Sequence, residues 1–322
     1  MQHDEVVLSR RRLLITGTAA AAVAAASRVA AQQGSQSEAS RRGDSAWEGV
    51  SMRGKTALVT GSTDGLGRVA ARELGALGAT VIVHGRNRQR GAETVREVEA
   101  SGGRAVFYAA DFGSLAEVRG LAETVLANHD RLHLLINNAG IWTDGTDERR
   151  LSEDGHELVF AVNYLAPYVL THRLLPLLER SAPARIINVS SIAQQPIDFD
   201  DVMLESGFSP ARAYAQSKLA LVMFTIDLAE RLQGSGVTAN SLHPATLMNT
   251  SMVERAGIAP RSTVEEGARA VMQLAVSPEL EGRSGFFFNG LDVGRAHAQA
   301  YDGEARAELR ALSIELTGEG SG

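Results

Sequence analysis

Tyr214 and Lys218 stand four residues apart in the stretch YAQSK, so on a helix they lie one turn apart on a single face. An ammonium beside a phenol favours the phenolate and draws its pKa from about 10 toward working pH. The chemistry this suits is proton transfer at oxygen. In the reductive direction such a phenol gives its proton to a carbonyl oxygen while hydride is added at the carbon. A source of hydride is suggested by Thr60-Gly61-Ser62-Thr63-Asp64-Gly65-Leu66-Gly67. Here an apolar run ends in a turn whose glycines allow close approach to a pyrophosphate at a helix N-terminus. The next apolar run, VIVHGRN, carries Gly85 where an acidic residue would bind a free ribose, and then Arg86. A guanidinium suits a 2′-phosphate, so NADP(H) is preferred and NAD(H) stays possible. Asp64 cuts slightly the other way.

These groups need a frame. Apolar runs at 56–60, 80–84, 104–109, 132–137, 185–190, 236–242 and 285–289 alternate with helical patterns. That alternation predicts an α/β fold, a doubly wound Rossmann-type domain with seven parallel strands over residues 52–300 and a C-terminal tail over 301–322. Net charge is −6 with both signs dispersed, which excludes a nucleic-acid binder. Cysteine is absent, which excludes disulfides and thiol chemistry. No metal site is expected: His129 and His133 lack a third ligand, and His243 beside Pro244 reads as structural.

Six motifs in order carry a resemblance to the short-chain dehydrogenase/reductase family over about residues 53–295. They are the glycine loop, Asp111-Phe112, Asn137-Asn138-Ala139-Gly140, Asn163 in FAVNYLAPYVLT, Asn188-Val189-Ser190-Ser191, and Tyr214 with Lys218. The resemblance implies a catalytic set of Asn163, Ser191, Tyr214 and Lys218, with Ser190 as a structural neighbour. Asn163 would anchor a water in the proton relay, and Lys218 would also hold the nicotinamide ribose. Cofactor contacts would come from Thr60, Gly61, Ser62, Asp64, Gly65, Leu66, Gly67, Arg86, Asp111, Phe112, Asn138, Ala139, Gly140, Tyr214, Lys218, Pro244 and Thr246, while Asn137 would support the central strand.

The 22 residues between Ser191 and Tyr214 are more than the family's usual loop and resemble the retinol dehydrogenase-like branch. That implies a sizeable, partly apolar alcohol or carbonyl as substrate. Pro244 is followed by Ala245 where the family usually has glycine, and Asn249 replaces an expected threonine. Residues 247–262 would form a substrate lid, with Met248 and Met252 either lining the pocket or packing helices. A homodimer or homotetramer would pair the segments 155–180 and 213–233. The opposing reading is a non-catalytic dinucleotide-binding sensor or scaffold on the same fold.

Residues 1–31 read differently. Arg10-Arg11-Arg12, an alanine-rich apolar run and small residues to Ala31 resemble a twin-arginine signal peptide, and 32–51 a disordered spacer. The Thr16-Gly17-Thr18 within it leads only into alanines, so it holds no phosphate. The signal implies the export machinery as a partner and a periplasmic enzyme; translation from Met52 would instead give a cytoplasmic one.

Overall fold

The computed structural model describes residue 47 and residues 49–142 and 148–320. The signal-like segment and most of the spacer lie outside the described residues, and the fold is that of the unit Gly49–Gly322.

The seven expected strands form: β1 (Thr56–Val59), β2 (Thr80–Gly85), β3 (Arg104–Ala109), β4 (Leu134–Asn137), β5 (Ala184–Val189), β6 (Val237–His243) and β7 (Phe287–Asn289). All seven are parallel. The expected count falls short by one, because the turn after β7 returns a two-residue antiparallel strand, β8 (Asp292–Val293). The order is β3-β2-β1-β4-β5-β6-β7-β8, so direction reverses between β1 and β4 and opens a crevice at their carboxyl ends. Strands this short stay in register because helices bury both faces. Leu58, Ile82, Leu135 and Ile186 are fully buried, each such side chain contributing about 1.5–3 kcal/mol.

The helices are α1 (Gly65–Ala76), α2 (Arg88–Ala100), α3 (Leu115–Asn128), α4 (Leu158–Arg180), α5 (Pro210–Arg231), α6 (Ser251–Arg255), α7 (Val264–Val276) and α8 (Gly303–Thr317). Helix α4 is apolar enough to cross a membrane by composition, but 78% of that window is buried, which makes it a core helix. It widens to π-type bonding over Ala161–Leu165, where the Ala166 amide donates to Ala161 O. Helix α5 starts sharply because Ser209 caps it by accepting from Arg212 N and Pro210 opens its first turn.

The segment expected as a tail is largely helix. Ser313 Oγ lies 2.6 Å from Tyr164 Oη of α4 in a buried hydrogen bond, and Arg310 pairs with Asp227 and Arg306 with Glu230, both on α5. Past the helix end, Tyr168 Oη donates to Glu319 O at 3.1 Å, while the Glu319 carboxylate takes ion pairs from Arg119 and Arg173. Helix α8 thus packs on part of α5 and reaches α4 through the Ser313–Tyr164 bond.

Candidate active site

The glycine loop is set by Thr60 and His84. Thr60 Oγ1 accepts from Asn138 N at 2.9 Å and Ala139 N at 3.0 Å, tying the ends of β1 and β4 together across the crevice. Asn138 Nδ2 returns the tie by donating to Thr60 O at 2.8 Å. Gly61 adopts φ +63° in close approach, since a Cβ there would fall 2.9 Å from Ala139 Cα. Its amide donates to His84 Nδ1 at 3.2 Å, so that nitrogen is the acceptor and Nε2 carries the hydrogen facing Ala110 O. Burial holds the His84 pKa down at about 4, keeping the ring neutral. The imidazole also stacks on Phe112 at 4.4 Å. No sequence pattern had singled out His84.

Several expected cofactor contacts are placed with other duties as well. Ser62 turns its hydroxyl into the core and donates to Val59 O, and Leu66 is buried. Gly65 and Gly67 open α1, and a Cβ on Gly67 would come within 2.5 Å of Gly61 O. Asp64 caps α1, accepting from Gly65 N, while its other oxygen accepts from Ser251 Oγ at 2.7 Å and pairs with Arg90 at 3.2 Å. Its charge, which spoke against a phosphate, is thus balanced by an arginine that the sequence reading missed. Arg86 lies 3.3 Å from Asp111, placing a guanidinium and a carboxylate together at the end of β2. Pro244 is buried, and Thr246 Oγ1 lies 3.1 Å from His243 Nε2. Burial lowers the His243 pKa to about 4, in keeping with its structural reading.

At the other wall stand the four residues of the expected catalytic set. Lys218 is buried and donates to Val189 O at 2.9 Å, with its Nζ 5.6 Å from the centre of the Tyr214 ring. Without a carboxylate partner, burial pulls the Lys218 pKa down to about 8. Ser190 donates to Lys218 O at 2.7 Å and is indeed a structural neighbour. The Ser191 hydroxyl near the Tyr214 phenol lowers its pKa, yet loss of water around the phenol raises it more. The net direction is upward from the ordinary tyrosine value.

Asn163 turns its side chain to protein partners. Its Oδ1 accepts from Ile141 N at 2.8 Å, and its Nδ2 donates to Ile141 O at 3.0 Å and to Ser217 Oγ at 3.0 Å. The side chain is fully buried and committed to protein partners. Behind it, Asn137 Nδ2 donates to Thr171 Oγ1 and to Asn188 Oδ1, and Asn188 Nδ2 donates to Thr225 Oγ1, a polar ladder joining β4 and β5 to α4 and α5.

The donor set fits a nicotinamide dinucleotide. Gly140 is bare where a Cβ would press within 3.3 Å of both Asn163 Oδ1 and Lys218 Nζ, which leaves the ammonium open toward the crevice where a ribose would be held. The α1 N-terminus and the Arg86 guanidinium at the end of β2 are groups of the kind that bind phosphate. A cavity of about 250 Å³ adjoins the site, lined by Ile141, Trp142, Val159, Phe208, Met252 and Arg255 among others. Of the two lid methionines, Met252 lines this cavity, whereas Met248 packs on Gly267 of α7. His129 and His133 serve separate structural bonds, to Tyr108 Oη and from Thr56 N.

Comparison with known proteins agrees with this geometry. The family model described as short chain dehydrogenase matches residues 55–259. Human retinol dehydrogenase 14 is 36% identical over 297 residues, covering 83% of this chain and 87% of the relative. Mouse polyprenol dehydrogenase is 37% identical over 290 residues, covering 84% and 85%. Among solved structures, a Mycobacterium Paratuberculosis protein superposes with a TM-score of 0.72 at 32% identity over 86% of this chain and 98% of its own. An NADP active-site complex of Pseudomonas aeruginosa RhlG gives 0.62 at 30% identity, covering 75% and 96%.

Proposed function

The chain belongs to the short-chain dehydrogenase family and is a dehydrogenase acting on CH–OH groups, and from that premise we propose that it is NADP(H)-dependent and interconverts a secondary alcohol and a carbonyl, with Tyr214 as the acid and base. The observation that carries this reading is the Tyr214 phenol, near the Ser191 hydroxyl and with the Lys218 ammonium 5.6 Å from its ring centre.

A bound nicotinamide supplies or accepts the hydride. Ser191 orients the substrate oxygen, and Tyr214, protonated at neutral pH because burial keeps its pKa high, donates to that oxygen as negative charge develops. Lys218 holds positive charge beside the phenol and stabilises the tyrosinate left after transfer. Arg86 at the end of β2 supports the preference for NADP(H). The resemblance to retinol and polyprenol dehydrogenases supports a sizeable, partly apolar substrate. The arginine pair, apolar run and small residues in 1–31 support twin-arginine export to the periplasm.

Tyr214→Phe tests the mechanism. With a panel of ketones and alcohols, it is expected to lower kcat by at least about 100-fold while NADPH binding, read by fluorescence titration, is retained. Wild-type turnover in this variant would overturn the assignment, and absence of cofactor-dependent turnover in the wild type across the panel would favour a sensor or scaffold.

A further inference from the structure

Trp142 is one of two tryptophans in the chain and sits just after Ile141 in the loop that leaves β4. Its indole stacks on the Tyr214 ring, with centroids 5.5 Å apart and planes inclined by 29°. It also borders the cavity beside the site, which Tyr214 itself does not line. The indole therefore touches both the general acid and that cavity.

Both ends of the ring pair are fixed by one side chain. The Asn163 amide grips the backbone N–H and C=O of Ile141, which sets where Trp142 leaves the strand. The same amide donates to Ser217 Oγ, which in turn donates to Tyr214 O at 2.7 Å. Asn163, Ile141, Trp142, Tyr214 and Ser217 form a closed circuit. A circuit of this kind has a physical use: the torsion that swings a phenol about its Cβ–Cγ bond is soft, so packing must decide where the hydroxyl points. Proton transfer requires that hydroxyl within hydrogen-bond reach of the reacting oxygen, and a displacement of 1 Å is enough to cost about 100-fold in rate.

We infer that Trp142 is a positioning residue for Tyr214, clamped through Asn163 and Ile141, which fixes the phenol ring and keeps water from its face. The inference rests on the proton-transfer role proposed for Tyr214. It gives Asn163 a task built from the contacts it makes, in addition to its place in the family motif.

The test compares wild type, Trp142→Phe and Trp142→Ala, each checked for cooperative thermal unfolding. Four readouts are taken: kcat, KM, NADPH affinity by fluorescence titration, and the alkaline limb of the reductive pH profile. Trp142→Phe, which keeps a flat ring, is expected to retain kcat within about 3-fold. Trp142→Ala is expected to lose about 10- to 100-fold in kcat, with NADPH affinity unchanged and the alkaline limb moved down toward the ordinary tyrosine value of about 10 as water reaches the phenol. Unchanged kcat and pH limb in Trp142→Ala, or an equal loss in both variants, would overturn the inference; so would a loss confined to NADPH affinity. A readout independent of turnover uses Trp47→Phe, which leaves Trp142 as the sole indole. Removing its partner with Tyr214→Ala is expected to shift the emission, and identical spectra would refute the stack. Failure of the Tyr214 reading itself shows separately, as full activity in Tyr214→Phe.

Discussion

At the scale of single residues, two titrating groups face each other with pKa values moved in opposite directions by the same burial. Tyr214 is raised and Lys218 lowered to about 8, each toward its neutral form. These directions set the sign of the pH dependence. Reduction consumes the proton on Tyr214, so its kcat/KM should hold level through neutral pH, weaken past about pH 8 as Lys218 loses its charge, and fall further past the raised phenol value. Oxidation needs the phenolate and should rise with pH over the same range. Profiles of kcat/KM in both directions from about pH 6 to 11 check this, and a reductive rate already falling across neutrality would indicate a phenol lowered by Lys218 instead. Tyr214, Lys218 and Ser191 were legible in the sequence because helical spacing and motif order carry them. Trp142 and His84 were not, since their partners lie 72 and 23 residues away and only the folded chain brings them together.

At the scale of elements, Asp64 joins three of them: it caps α1, pairs with Arg90 on α2 and accepts from Ser251 on α6. Losing a cap costs about 1 kcal/mol, or about 2–4 °C in Tm for a domain of this size. Asp64→Ala should show that drop in a thermal melt, together with faster cleavage of the 247–262 segment by limited proteolysis, because α6 loses its tie to the glycine loop. Asp64→Asn retains a capping oxygen and should recover most of the Tm; equal Tm values in wild type and both variants would refute the assignment. The strands were readable because parallel strands buried on both faces appear as continuous apolar runs. Helix α8 was not: its buried positions are Ala305, Leu309, Ser313 and Thr317, spaced by four but mostly small or polar. Such a stripe has no hydrophobic signature, and its anchoring bond to Tyr164 is a tertiary fact.

At the scale of the whole molecule, all four residues of the catalytic set come from one chain, on α4, after β5 and on α5. Helix α8 holds to α5 and α4 through Ser313, Arg310 and Arg306, with Glu319 just beyond it pairing with Arg173 of α4. The consequence concerns dilution. An enzyme completed by a partner loses specific activity as its concentration drops below the dissociation constant of the pair, whereas this one should keep the same turnover per molecule from micromolar down to nanomolar. Progress curves over that range, alongside light scattering of the concentrated protein, would reveal any dependence on assembly as a falling rate per molecule.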